Sequence, residues 1–103
     1  QGAKMKNLFC ILVTYTKPIH EIEQILAEHR AYLQKGYDAG FLLVSGPQNP
    51  KVGGCIIGHF ADKDAAIAFT HNDPYCLNNA ATYEIIEFSP VLHAKCIKEF
   101  VQD

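Results

Sequence analysis

The chain has 103 residues, 49% of them hydrophobic and 19% charged, which excludes disorder and describes a rather apolar globular protein. Nine Lys and Arg stand against eleven Asp and Glu with no basic run, so nothing marks nucleic acid or an anionic membrane surface as a partner. No apolar run reaches the length of a membrane span and no signal-peptide pattern opens the chain, and a cytoplasmic protein is expected.

In chain order, "QGAK" reads as a cloning remnant ahead of Met5, and a single domain is expected over residues 5–103. "KNLFCILVTYT", residues 6–16, predicts a strand covered on both sides, with Phe9, Ile11 and Val13 on one face and Leu8, Cys10 and Leu12 on the other. Pro18 then opens a helix whose stripe of Ile22, Ile25, Leu26, His29 and Leu33 recurs at helical spacing and ends near Gly36 or Gly40. "GFLLVSGPQNP" predicts a second strand ended by Gly46 and Pro47, and "VGGCIIGHFAD" a third, with Val52, Ile56 and Phe60 opposite Cys55 and Ile57. Asp62 caps a second helix with apolar contacts from Ala66, Ile67 and Phe69. Asp73 caps a short turn of helix begun by Pro74, whose fixed φ and missing amide hydrogen suit the first helical position. "ATYEIIEFSP" predicts the last strand, and the tail "VLHAKCIKEFVQD" a strand or helix that wraps a partner copy.

The order β, α, β, β, α, β is that of the ferredoxin-like α+β fold, an antiparallel sheet with strands one and three central and both helices on one face. The central strands are apolar on both faces, so the face away from the helices needs cover. A homodimer with two sheets packed face to face supplies it.

Two residues carry the candidate chemistry. His29 interrupts the apolar stripe of the first helix, where it is either a core histidine with satisfied nitrogens or a proton carrier held in one tautomer by a carboxylate. Asp73 is that carboxylate if the two helices lie side by side, because an N-cap oxygen keeps a lone pair for an imidazole N–H. Ser45, Tyr75 and Tyr32 are substrate-binding candidates, each with a packing role as the plainer reading. His20, His59, His71 and His93 fall at no metal-ligand spacing. Cys10, Cys55, Cys76 and Cys96 form no C-x-x-C pair and read as buried free thiols, so neither a metal nor another cofactor is expected.

On His29 in "HRAYLQKGYDAGFLLVSGP", Asp73 in "NDPY" and the strand-end pair Gly46-Pro47, the sequence resembles the YciI-like family from Met5 to about Phe88. The resemblance implies a ferredoxin-like fold, pairing as a dimeric α/β barrel, and a His-Asp pair as the active site. Taken with the residues, it leads to an expected acid/base enzyme of lyase or isomerase type, independent of cofactors and acting on a small cyclic or phenolic molecule, with His29 moving the proton and Asp73 orienting it. The alternative is a ligand-binding or stress-related module without turnover.

Overall fold

The computed structural model describes residues 5–103, and the expectation for residues 1–4 lies outside them. The chain forms β1 (Leu8–Tyr15), α1 (Ile19–Asp38), β2 (Leu42–Pro47), β3 (Gly53–Gly58), α2 (Lys63–His71), α3 (Pro74–Leu77), β4 (Ala81–Phe88) and α4 (Lys98–Val101). The sheet runs β2-β3-β1-β4 with every pair antiparallel, which is the ferredoxin-like arrangement. Strands one and three are therefore central.

Alternation along β1 sorts its side chains. Phe9, Ile11 and Val13 point under the helices and are at most 2% exposed, and Ile11 and Val13 join Ile22, Leu33, Ile56 and Tyr75 in one core. Cys10 and Leu12 point the other way, facing Ile57 and Cys55 across β3, and are half-buried. Val44 of β2 and Ile86 of β4 continue that outward face at 52% and 43% exposed. Apolar side chains on both faces of the sheet, with helices over one only, leave this second face open in the single chain.

Two glycines set how α1 hands over to β2. Gly40 takes a positive φ of 88° just after the helix, the left-handed stop that a side chain resists. Gly36 lies inside the helix because a Cβ there would come within 2.7 Å of the Leu42 side chain. Helix α2 begins as expected, with the Asp62 carboxylate accepting from the Ala65 amide at 2.8 Å.

Two local expectations, the extent of β3 and the burial of the cysteines, are corrected. Val52 and Phe60 lie beyond the ends of β3: Val52 is 54% exposed in the turn, and Phe60 packs on the core side with Ile56, edge-on to Phe9 and tilted against Phe41 and Phe69. The end of the tail returns to its own chain, where the Lys6 amide donates to the Val101 carbonyl at 2.7 Å and Val101 is fully buried, while Val91 and Leu92 before it stay exposed. The cysteines are free but none is fully buried. Cys10, Cys55 and Cys76 are half-buried and Cys96 is exposed. Cys10 and Cys55 meet on the open face at 3.6 Å between sulfurs, and burial together with Cys10 pushes the Cys55 thiol up to about 11.

Candidate active site

Asp73 sits where α2 has ended and α3 begins. Its backbone is extended (φ −66°, ψ 131°), as proline at 74 requires, and its side chain is 1% exposed. A buried carboxylate must be matched by donors, and three are present. Oδ1 accepts from the Tyr75 amide at 3.2 Å and from Nδ1 of His29 at 2.7 Å, while Oδ2 accepts from the Tyr83 hydroxyl at 2.6 Å. The residue is thus both the cap of its helix and the partner of a histidine on another.

His29 reaches it from the core stripe of α1, with its side chain 12% exposed. An ionised carboxylate only accepts, so the proton on this hydrogen bond belongs to Nδ1. In the neutral ring that leaves the lone pair on Nε2, which makes no hydrogen bond to another described residue. One face of the imidazole lies flat on Tyr75, at 4.0 Å between centroids and 15° between planes.

Tyr75 is the most unusual group here. It is 2% exposed, and its hydroxyl is buried with no hydrogen-bond partner. Leaving a buried hydroxyl unpaired costs about 1–3 kcal/mol; the phenol of Tyr15, edge-on to this ring at 5.7 Å between centroids, is the neighbouring group that can meet it with a small shift. Burial raises the Tyr75 phenol, as do Tyr15 and Asp73, against an opposing pull from Arg30; burial and the hydrogen bond to Asp73 raise Tyr83. Burial, then Asp73, pushes Tyr32 up to about 12. All three phenols are proton donors at neutral pH and none is a base.

The cavity between α1 and the sheet has a volume of about 190 Å³. Its walls are apolar, from Val13, Ile22, Leu26, Leu33 and Ile56, and its polar lining comes from Tyr15, Glu23, His29, Arg30, Ser45, Lys51 and Tyr75. An apolar slot of ~150 Å³ holds one benzene ring, so this space suits a single substituted ring.

Of the residues singled out in the sequence, the structure brings together His29, Asp73 and Tyr75, with Ser45 across the cavity. Ser45 shares a 2.6 Å hydrogen bond with the Tyr37 hydroxyl. Tyr32 stands apart from the cavity lining: its hydroxyl donates to the Phe69 carbonyl at 2.7 Å and its ring stacks on Phe69. Sequence reasoning missed Tyr83, although strand alternation carried the signal, since Tyr83 pairs with Val13 and shares its inward face. Arg30 and Lys51 carried no such signal. Among the described residues, no group of three His, Cys, Asp or Glu is placed to hold a metal ion, and no helix is long and apolar enough to cross a membrane.

Comparison with known proteins agrees with this architecture. The chain is similar in fold to 5-chloro-2-hydroxyhydroquinone dehydrochlorinase (TftG) from Burkholderia phenoliruptrix AC1100, solved in complex with 2,5-dihydroxybenzoquinone. The match has a TM-score of 0.70 at 20% identity and covers 86% of this chain and 97% of that one. A search of curated proteins finds no match. The YCII-related domain matches residues 7–89, from the start of β1 through the end of β4 and so across the whole sheet and the His29-Asp73 pair. The chain belongs to the YCII-related family.

Proposed function

We propose that the protein is an acid/base enzyme of lyase or isomerase type acting on a small cyclic or phenolic molecule bound between α1 and the sheet. One observation carries the reading: His29, whose Nδ1 is held by Asp73, lies flat on the ring of Tyr75, and both residues line one ring-sized cavity. Nε2 of His29 takes a proton from an acidic O–H or C–H of the bound ring, and the electron pair left behind becomes a new C=O or C=C bond. In an elimination that pair expels a leaving group such as halide, so that proton and halide depart in sum as HX. In a tautomerisation the proton returns at another atom. Asp73 holds the imidazole in place and offsets its positive charge, and the Tyr75 hydroxyl donates to a substrate oxygen. Positioned proton transfer of this kind contributes about 10²–10⁴ in rate.

The fold-level likeness to a dehydrochlorinase of a chlorinated hydroxyhydroquinone supports the ring-compound class without naming a substrate. The open apolar face of the sheet supports a homodimer paired sheet to sheet. A binding module without turnover is the second reading, favoured by the full satisfaction of Asp73: three donors from α1, α3 and β4 are reason enough for a buried carboxylate. Incubation of the protein with chlorinated hydroxyhydroquinones, phenols and lactones, followed by NMR and by chloride release, separates the two. Turnover of a panel member supports the enzyme, and binding with no product supports the module.

A further inference from the structure

Two cations line the same cavity and have nothing to hold. Arg30 follows His29 on α1, and Lys51 projects from the turn between β2 and β3. Both are exposed, and among the described residues neither makes an ion pair or a side-chain hydrogen bond. Glu23 is the single acid in the lining, two turns before Arg30 on α1, and it is not within ion-pairing distance of either cation. Asp73 contributes its charge from behind the imidazole and is already engaged by three donors.

We infer that Arg30 and Lys51 are specificity-determining residues that select a ring carrying a negative oxygen, a phenolate or a carboxylate, seated in the apolar slot with that oxygen toward the cavity mouth. The inference deepens the acid/base reading and rests on it only for the identity of the site. Bringing an anion close to the buried Asp73 is unfavourable without opposite charge nearby, and proton abstraction from a neutral ring creates such an anion within the cavity. Two cations at the mouth supply the compensation in either case. Guanidinium is suited to a forked contact with a carboxylate, and the ammonium of Lys51 acts as a mobile point charge on the opposite wall.

The test compares benzoate with benzamide, which share a shape and differ by one negative charge, in calorimetric or NMR titrations of the parent protein and of the double variant Arg30→Gln, Lys51→Gln. Both positions are exposed, so the variant is expected to fold, and circular dichroism checks it. The parent should bind benzoate at least tenfold more tightly than benzamide, with a preference that shrinks as salt rises. The double variant should bring the two ligands to within about twofold, with benzamide binding unchanged. Equal affinity of the parent for both ligands, no benzoate binding at millimolar concentration, or the same loss for both ligands in the variant overturns the inference. Because the readout is binding, it is separable from turnover: a charge preference without turnover sinks the enzyme reading alone, and turnover without a charge preference sinks this one alone.

Discussion

Tyr83 donates its hydroxyl to Oδ2 of Asp73 at 2.6 Å, on the oxygen that His29 leaves free. A strand residue thereby fixes the carboxylate that fixes the histidine. Tyr83→Phe removes the only side-chain donor to Oδ2 among the described residues, and a buried charged acceptor left short of a donor costs about 1–3 kcal/mol. Urea unfolding should show a loss of that size. A variant as stable as the parent would mean that water replaces the phenol at no cost.

Tyr75→Phe should do the opposite to stability. Its hydroxyl is buried with no well-formed hydrogen bond and only the Tyr15 phenol beside it, so deleting it should raise stability by up to about 1 kcal/mol, while turnover or ligand affinity falls roughly tenfold. Thermal melts and ligand titration read the two effects separately. A variant that loses stability and keeps full affinity would assign the hydroxyl to packing.

Periodicity makes much of this site legible in the sequence. His29 stands out because it occupies an apolar position of an otherwise regular helical stripe, and Asp73 because proline at 74 makes it a cap. Their meeting is a matter of topology: the ferredoxin-like order lays α1 beside the α2–α3 junction. The tail was not legible, since "CIKEFVQD" is amphipathic enough for either element and its position is decided by a backbone pairing with Lys6, 95 positions away from Val101. Val52 and Phe60 misled for a related reason: alternation continues past a strand end that only the hydrogen bonds of the sheet define.

Alkaline pH should unfold the protein through its tyrosines. Burial and the Asp73 carboxylate raise Tyr32, Tyr75 and Tyr83 above the ordinary value of 10.0, so the folded state holds these protons more tightly than the unfolded chain does. Their contribution to stability is complete below pH 10 and is lost as pH rises through the folded values, beginning with Tyr32 near 12. Phenolate absorbance followed alongside circular dichroism should show a late group of tyrosines ionising together with unfolding. Ionisation of all five at ordinary values with the fold intact would contradict the arrangement.

The open face of the sheet should pair two copies. Ile86 faces outward from the edge strand β4 beside Cys10 of the central β1, and Ile86→Asp places a charge within the expected contact. Light scattering at micromolar concentration should give twice the monomer mass for the parent and the monomer mass for the variant. A monomeric parent would leave this face without a role.

The central claim, that His29 moves a proton for a bound ring, is tested most directly by kcat/KM for a panel substrate in the parent and in His29→Ala. The ring of His29 also stacks on Tyr75, so circular dichroism and melting establish that the variant is folded before its rate is read. With Asp73, Tyr75 and the cavity walls in place, substrate should still bind, and the rate should fall by about 10²–10⁴. A folded His29→Ala variant that turns over substrate at the parent rate would contradict the claim.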